Sequence, residues 1–183
     1  ALGVWTSSNT ATATVNASTG VVTGIAAGST TITYTVTNGS GCISSVTTTV
    51  TINALPVVAS ITGSTTVCAG STTTLTSATA LGVWTSSNTA VATVSASGVV
   101  TGVSSGTSTI TYTVTTNGCS TSVSSVITVN PLPVLAAIGG TTSACIGSTT
   151  TLTNTTSGGT WTSATPAVAT VNSITGQVSG VSA

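Results

Sequence analysis

Gly82-Val83-Trp84-Thr85-Ser86-Ser87-Asn88, followed by Ala90-Val91-Ala92-Thr93-Val94, decides how this chain is read. The stretch recurs. An earlier copy runs Gly3-Val4-Trp5-Thr6-Ser7-Ser8-Asn9 and continues Ala11-Thr12-Ala13-Thr14-Val15. A later one runs Gly159-Thr160-Trp161-Thr162-Ser163 and continues Ala167-Val168-Ala169-Thr170-Val171. The tryptophans at 5, 84 and 161 are 79 and 77 residues apart, so the 183-residue chain is a tandem array. These three are the chain's whole complement of Trp. Trp5, Trp84 and Trp161 are each expected to anchor the core of one repeat.

Downstream of each Trp lies a short glycine-bounded strand, Gly20-Val21-Val22-Thr23-Gly24 in one repeat and Gly98-Val99-Val100-Thr101-Gly102 in the next. Strict alternation follows. Ile32, Tyr34 and Val36 share one face of Thr31–Thr37, and Ile110, Tyr112 and Val114 share one face of the matching run. Period two over seven residues reads as a half-buried strand. Tyr34 and Tyr112 are expected in the core, with each hydroxyl reaching the rim. Asn38-Gly39-Ser40-Gly41 and Asn117-Gly118 read as hairpin turns. The return strand of the first hairpin, Val46–Ile52, is expected to turn Val46, Val50 and Ile52 inward. In the second repeat, Val57–Ile61 reads as an opening strand and Thr72–Thr76 as another with Leu75 inward.

The expected domains are therefore 1–53, a repeat lacking its first strands, 54–130, a complete repeat, and 131–183, a repeat lacking its last strands. Ala54-Leu55-Pro56 and Pro131-Leu132-Pro133 are the stiff junctions. About seven short strands in 77 residues, with turn signals every 8–12, give an all-β class and a small sandwich.

Composition narrows function. The chain has no Lys, Arg, Asp, Glu or His, whereas an ordinary soluble chain is about 25% charged. Ser and Thr make up 77 of the 183 residues, and 39% of the chain is hydrophobic. β-branched Thr, Val and Ile suit strands. Nucleic acid is excluded as a partner, because phosphate binding is carried largely by Lys and Arg. No polybasic patch exists for anionic lipid, and no apolar run approaches the roughly 18 residues of a membrane span. Surface interactions should respond little to pH or salt. Net charge near zero favours association, which points to self-association with identical chains or neighbouring repeats.

Gly70-Ser71-Thr72-Thr73-Thr74-Leu75-Thr76, Val83–Asn88, Val91–Val94, Gly98–Val103 and Gly106–Val114 together resemble the group 2 bacterial immunoglobulin-like domain. Val67-Cys68-Ala69-Gly70 and Asn117-Gly118-Cys119 resemble variants in very large repetitive surface proteins of gliding and biofilm-forming bacteria. The resemblance implies an immunoglobulin-like sandwich and an extracellular or cell-surface location. It further implies a spacer, stalk or adhesin shaft. The total lack of charge departs from typical members and favours a self-assembling filament. The alternative is an adhesive module contacting glycans or a cell-surface partner, with the Trp residues as stacking platforms. Bland differences between repeats (Ser29 for Thr107, Ala26 for Ser104) favour the shaft.

Cys42, Cys68, Cys119 and Cys145 are spaced 26, 51 and 26 residues apart. A reactive thiolate needs a cationic neighbour or a base, and none exists here. Structural zinc usually takes four ligands with tight Cys spacing, which is also missing. Disulfides are the expected role, against buried free thiols. Under the immunoglobulin-like order, Cys68 falls at the turn between the first two strands and Cys119 at the turn between the last two. Those turns lie at opposite ends of a sandwich. Cys68–Cys119 within one repeat leads, because each repeat carries both members. A junction pairing between successive repeats stays open, and it would staple the array into a rod.

Serine is abundant, but a serine nucleophile needs a base. Calcium sites need carboxylates, and isopeptide crosslinks need Lys. No catalytic residue, cofactor or metal site is expected. Asn16-Ala17-Ser18, Asn38-Gly39-Ser40 and Asn154-Thr155-Thr156 fit the N-glycosylation pattern. They fall at different repeat positions, so they read as chance matches.

Overall fold

The structure, a computed structural model, describes residues 3–183. Residues 1 and 2 of the expected first repeat lie outside the described residues. The chain divides into two compact units, one ending at Pro131 and the other running Leu132–Ala183.

In the first unit, the copy of the Trp motif nearest the start builds β1 (Val4–Ser7) and β2 (Ala13–Val15). β3 (Val22–Gly24), β4 (Gly28–Thr37) and β5 (Ile43–Ile52) follow. β4 pairs with both β1 and β5, and β2 pairs with β3, all antiparallel. Ala13 and Ile32 are fully buried between these layers.

The same unit then repeats the pattern with more chain. β6 (Thr66–Cys68), β7 (Thr72–Thr74), β8 (Val83–Ser86), β9 (Ala92–Val94), β10 (Val99–Gly102), β11 (Gly106–Thr116) and β12 (Cys119–Asn130) form two facing sheets. One sheet has the order β6-β12-β11-β8 and the other β7-β10-β9. The long hairpin works as the alternation implies. Ser108, Ile110, Tyr112 and Val114 are buried on one face of β11, while the intervening Thr residues face outward. Asn117 (φ +50°) and Gly118 (φ +79°) make its two-residue turn. Both central residues are left-handed, as a type I′ turn demands, and its twist matches the flanking strands. Val67, Leu75, Ala92, Val100, Ile110, Ile127 and Val129 form the core between the sheets, with Trp84 packed at its side.

Three details differ from the sequence reading. Val57–Ile61 is not a strand. Its backbone is held by hydroxyls instead: the Ala59 N–H donates to Thr79 Oγ1 (2.8 Å), and Ser77 Oγ donates to the Ala59 carbonyl (3.0 Å). The opening strand is β6, and it runs parallel to β12. Val46 is 67% exposed although it lies opposite Tyr34 on the inward face. In the central repeat, residues 54–76 contribute β6 and β7 to the two sheets, and the corresponding Val123 is half-buried. The first repeat has no counterpart of that segment in this sequence.

In the second unit, β13 (Gly139–Gly140), β14 (Thr149–Thr153), β15 (Ala169–Val171) and β16 (Gln177–Gly180) make one sheet of order β13-β14-β16-β15. Gly159–Ser163 matches β8 in sequence but forms no strand. β8 pairs only with β11, and the chain carries no third copy of the Ile/Tyr/Val strand.

Candidate functional site

The Trp motif gathers the chain's most elaborate side-chain geometry. Period two on β8 turns Trp84 and Ser86 to the same, core-side face of the sheet that β8 shares with β11. Trp84 lies directly opposite Tyr112, with ring centroids 4.5 Å apart and planes tilted by 41°. Trp5 and Tyr34 repeat this at 4.5 Å and 39°. Such tilted aromatic pairs contribute about 0.5–1.5 kcal/mol beyond the area they bury.

The Tyr112 hydroxyl is fully engaged. It donates to the Thr79 carbonyl at 2.7 Å and accepts from the Gly82 N–H at 2.8 Å. It thereby ties β11 to the loop that delivers the Trp strand. Gly82 must be glycine, because a Cβ there would fall inside the Tyr112 ring, and Gly3 stands in the same relation to Tyr34. The indole of Trp84 rests on Gly98, whose φ of +81° and contact with the Leu75 carbonyl leave no room for a side chain. Gly20 and Gly176 seat Trp5 and Trp161 in the same way.

Next to each aromatic pair lies a hydroxyl cluster that the sequence reading missed. Ser108, 3% exposed, is its hub. The Asn88 N–H donates to Ser108 Oγ (3.1 Å), Ser86 Oγ lies 2.9 Å from it, and Ser86 donates onward to the Ala92 carbonyl (2.7 Å). Ser87 Oγ accepts from the Thr109 N–H at 3.0 Å. Thr30, Ser7, Ser8, Asn9 and Ala13 rebuild the arrangement in the first repeat. Ser163 keeps the bond to the Ala169 carbonyl (2.6 Å). The signal for the hub was in the alternation: Ser108 sits two residues before Ile110, on the inward face.

These hydroxyls join strand to strand, and the sequence offers no base to activate any of them. Replacing Ser108 with Ala is expected to cost about 1–2 kcal/mol, since it removes the hydrogen bonds that Ser86 and the Asn88 N–H make to this buried hydroxyl, whereas Ser108→Thr should be nearly neutral, as Thr30 occupies the equivalent place. Urea denaturation of the two variants checks this.

Trp161 has no Tyr partner. Beside it is a 540 Å³ cavity lined by Leu135, Ile138, Asn154, Trp161 and Ile174, among others. In the central repeat the corresponding face of Trp84 is covered by Tyr112.

No two of Cys42, Cys68, Cys119 and Cys145 are joined to one another in this structure. The Cys68–Cys119 pairing favoured from sequence is ruled out by register. β6 places Cys68 opposite Asn130, at the far end of β12 from Cys119. The two ends are eleven residue steps apart, about 35 Å, against the roughly 7 Å Cα limit of a disulfide.

Seven strands in two facing sheets, with a Trp–Tyr pair at the side of the core, define an immunoglobulin-like sandwich repeated along the chain. The family model for the bacterial Ig-like domain (group 2) matches residues 2–46 and 46–125, and the chain belongs to that family. Comparison with curated proteins finds no match. Among solved structures, the chain is similar to domains 1–6 of the surface layer protein SbsC, at 22% identity and a TM-score of 0.29, covering 99% of this chain and 24% of that one. Domains 4 and 5 of SbsC match at 28% identity and a TM-score of 0.28, covering 72% and 71%. Cadherin domains 3–6 of protocadherin gamma B2 match at 10% identity and a TM-score of 0.30, covering 99% and 58%. The chain thus spans about a quarter of the SbsC segment holding domains 1–6. At these TM-scores the family assignment rests on the sequence match alone.

Proposed function

We propose that this chain is a structural segment of an extracellular bacterial surface protein, in which immunoglobulin-like domains at 1–53, 54–130 and 131–183 stand in series as a shaft that packs laterally into a filament. The observation that carries the reading is the outer face of the β11–β12 hairpin. It is a ladder of hydroxyls without a charge, with Thr113 paired to Ser122 and Thr115 to Ser120 at 2.8 Å each. A flat hydroxyl surface can meet a copy of itself through hydrogen bonds and close packing, and no like charges oppose the approach.

Serial stacking has its own support. Asn53 Nδ2, just past β5, donates to the Asn117 carbonyl in the β11–β12 turn at 3.0 Å. The end of one repeat thus meets the far turn of the next. The adhesive alternative draws no support from Trp5 and Trp84, whose faces are occupied by tyrosines.

Sedimentation across pH, kept below the thiol range, and from low to molar salt tests the proposal. Association is expected to stay constant, because neither variable has a charge to act on. A chain that remains monomeric throughout would overturn the lateral packing.

A further inference from the structure

Asn53 and Asn130 are the same repeat position, 77 residues apart, and a cysteine approaches that position from each side. From within a repeat comes the cysteine that ends the strand parallel to β12. Cys68 is the register partner of Asn130, and the next residue, Ala69, donates its N–H to the Asn130 carbonyl at 2.9 Å. From the following repeat comes the cysteine that opens its last strand. Cys119 Sγ lies 3.8 Å from the carbonyl oxygen of Asn53. The Asn53–Asn117 hydrogen bond holds that turn in place.

The two observations concern the same carbonyl in successive repeats. Laid over one another, they bring the Cys68-type cysteine of one repeat and the Cys119-type cysteine of the next to a single backbone oxygen, the kind of proximity a disulfide needs. We infer that each junction of the array is a disulfide site, joining the Cys68-type thiol of one repeat to the Cys119-type thiol of the repeat that follows. The inference rests on the serial stacking proposed above and is independent of lateral packing.

The exposure of the four cysteines fits this arrangement. Cys119, with a preceding repeat against it, is half-buried. Cys42, the equivalent position in the first repeat of this sequence, is exposed. The Cys68 turn is rebuilt at Cys145: the Ser71 N–H donates to the Cys68 carbonyl and the Ser148 N–H to the Cys145 carbonyl, each at 3.0 Å. Both cysteines are exposed.

The bond forms by thiol–disulfide exchange with a disulfide-bearing oxidant. One cysteine, as thiolate, attacks a sulfur of the oxidant and releases one thiol. The second cysteine then attacks the mixed disulfide and releases the other. The two cysteines lose two protons and two electrons, and the oxidant leaves as two thiols. A lattice so closed is covalent across every joint, although no bond lies within a repeat.

The test duplicates the central repeat, so that residues 54–130 occur twice in tandem within the full chain. Cys42 and Cys145 are changed to Ser, which removes only exposed thiols. One version keeps Cys68 of the first copy and Cys119 of the second, with Cys119→Ser and Cys68→Ser at the other two positions. The other version keeps Cys68 and Cys119 of the same copy. After exposure to oxidised glutathione, the junction version should lose the mass of two hydrogen atoms as a monomer and show no reactive thiol. The same-copy version should keep both thiols. Retention of both thiols by the junction version overturns the inference, as does closure of the same-copy version. Small-angle scattering of the reduced chain reports serial stacking separately: an extended particle that fails to oxidise rejects the disulfide alone, and a collapsed one rejects the stacking.

Discussion

Tyr112→Ala is expected to lower the stability of the central repeat by about 3–5 kcal/mol, the range for truncating a large buried aromatic. Tyr112 is 5% exposed, stacks on Trp84, and lies mid-strand in β11. Its loss opens a cavity against the indole and also strands the Gly82 N–H, which donates to the Tyr112 hydroxyl. A small domain holds about 5–15 kcal/mol in all, so the variant should sit near its unfolding limit. Tyr112→Phe separates the two contributions. It keeps the ring and removes both hydroxyl bonds, for an expected cost of about 1–2 kcal/mol. Urea denaturation followed by tryptophan fluorescence reads both values. Equal losses for Ala and Phe would mean that the hydroxyl bonds alone matter and that the Trp–Tyr pair is not an anchor.

The second large effect is expected on assembly. Ser122→Lys together with Ser124→Lys places two like charges on the outer face of β12, where both serines are exposed. The fold should be untouched, since neither side chain reaches the core. Lateral association should fall at least tenfold at low salt, and most of it should return at molar salt, where the Debye length shrinks to about 3 Å. The parent chain, with no charge of its own, should show no such salt dependence. Unchanged association of the double variant would move the lateral contact to another face. Sedimentation velocity on the two chains, at matched concentration, makes the comparison.

The legible parts of this fold were those with a period. The β11 alternation, the Asn117-Gly118 turn and the recurring Trp each carry a local signature that survives in the three-dimensional arrangement. Two of the three mistaken parts had no readable period. β6 is three residues long, too short for its alternation to be read, so nothing local marks it as the strand parallel to β12. Val57–Ile61 has strand composition, but its partners are the Ser77 and Thr79 side chains, which no propensity reports. Val46 has the right alternation, and its exposure depends on which segments contribute strands to the facing layers.

The candidate sites divide along the same line. The spacing of 77 between Cys42 and Cys119, and between Cys68 and Cys145, is visible in the sequence. The opposite-ends placement of Cys68 and Cys119 already follows from the immunoglobulin-like order, and the register that sets Cys68 opposite Asn130 gives the distance that rules out a bond within one repeat. Ser108 was readable in principle as the next inward position before Ile110. Its role was hidden because a hydroxyl on an inward face acquires meaning only once Ser86 and the Asn88 N–H are brought against it.

The central claim is that this uncharged array of sandwiches is a shaft that packs against copies of itself. Electron microscopy of the purified chain in dilute neutral buffer tests it most directly. Ordered bundles in which beaded strands lie side by side, unchanged when salt is raised to molar levels, are the expected result. Single, separate particles that never align, at any salt, would contradict it.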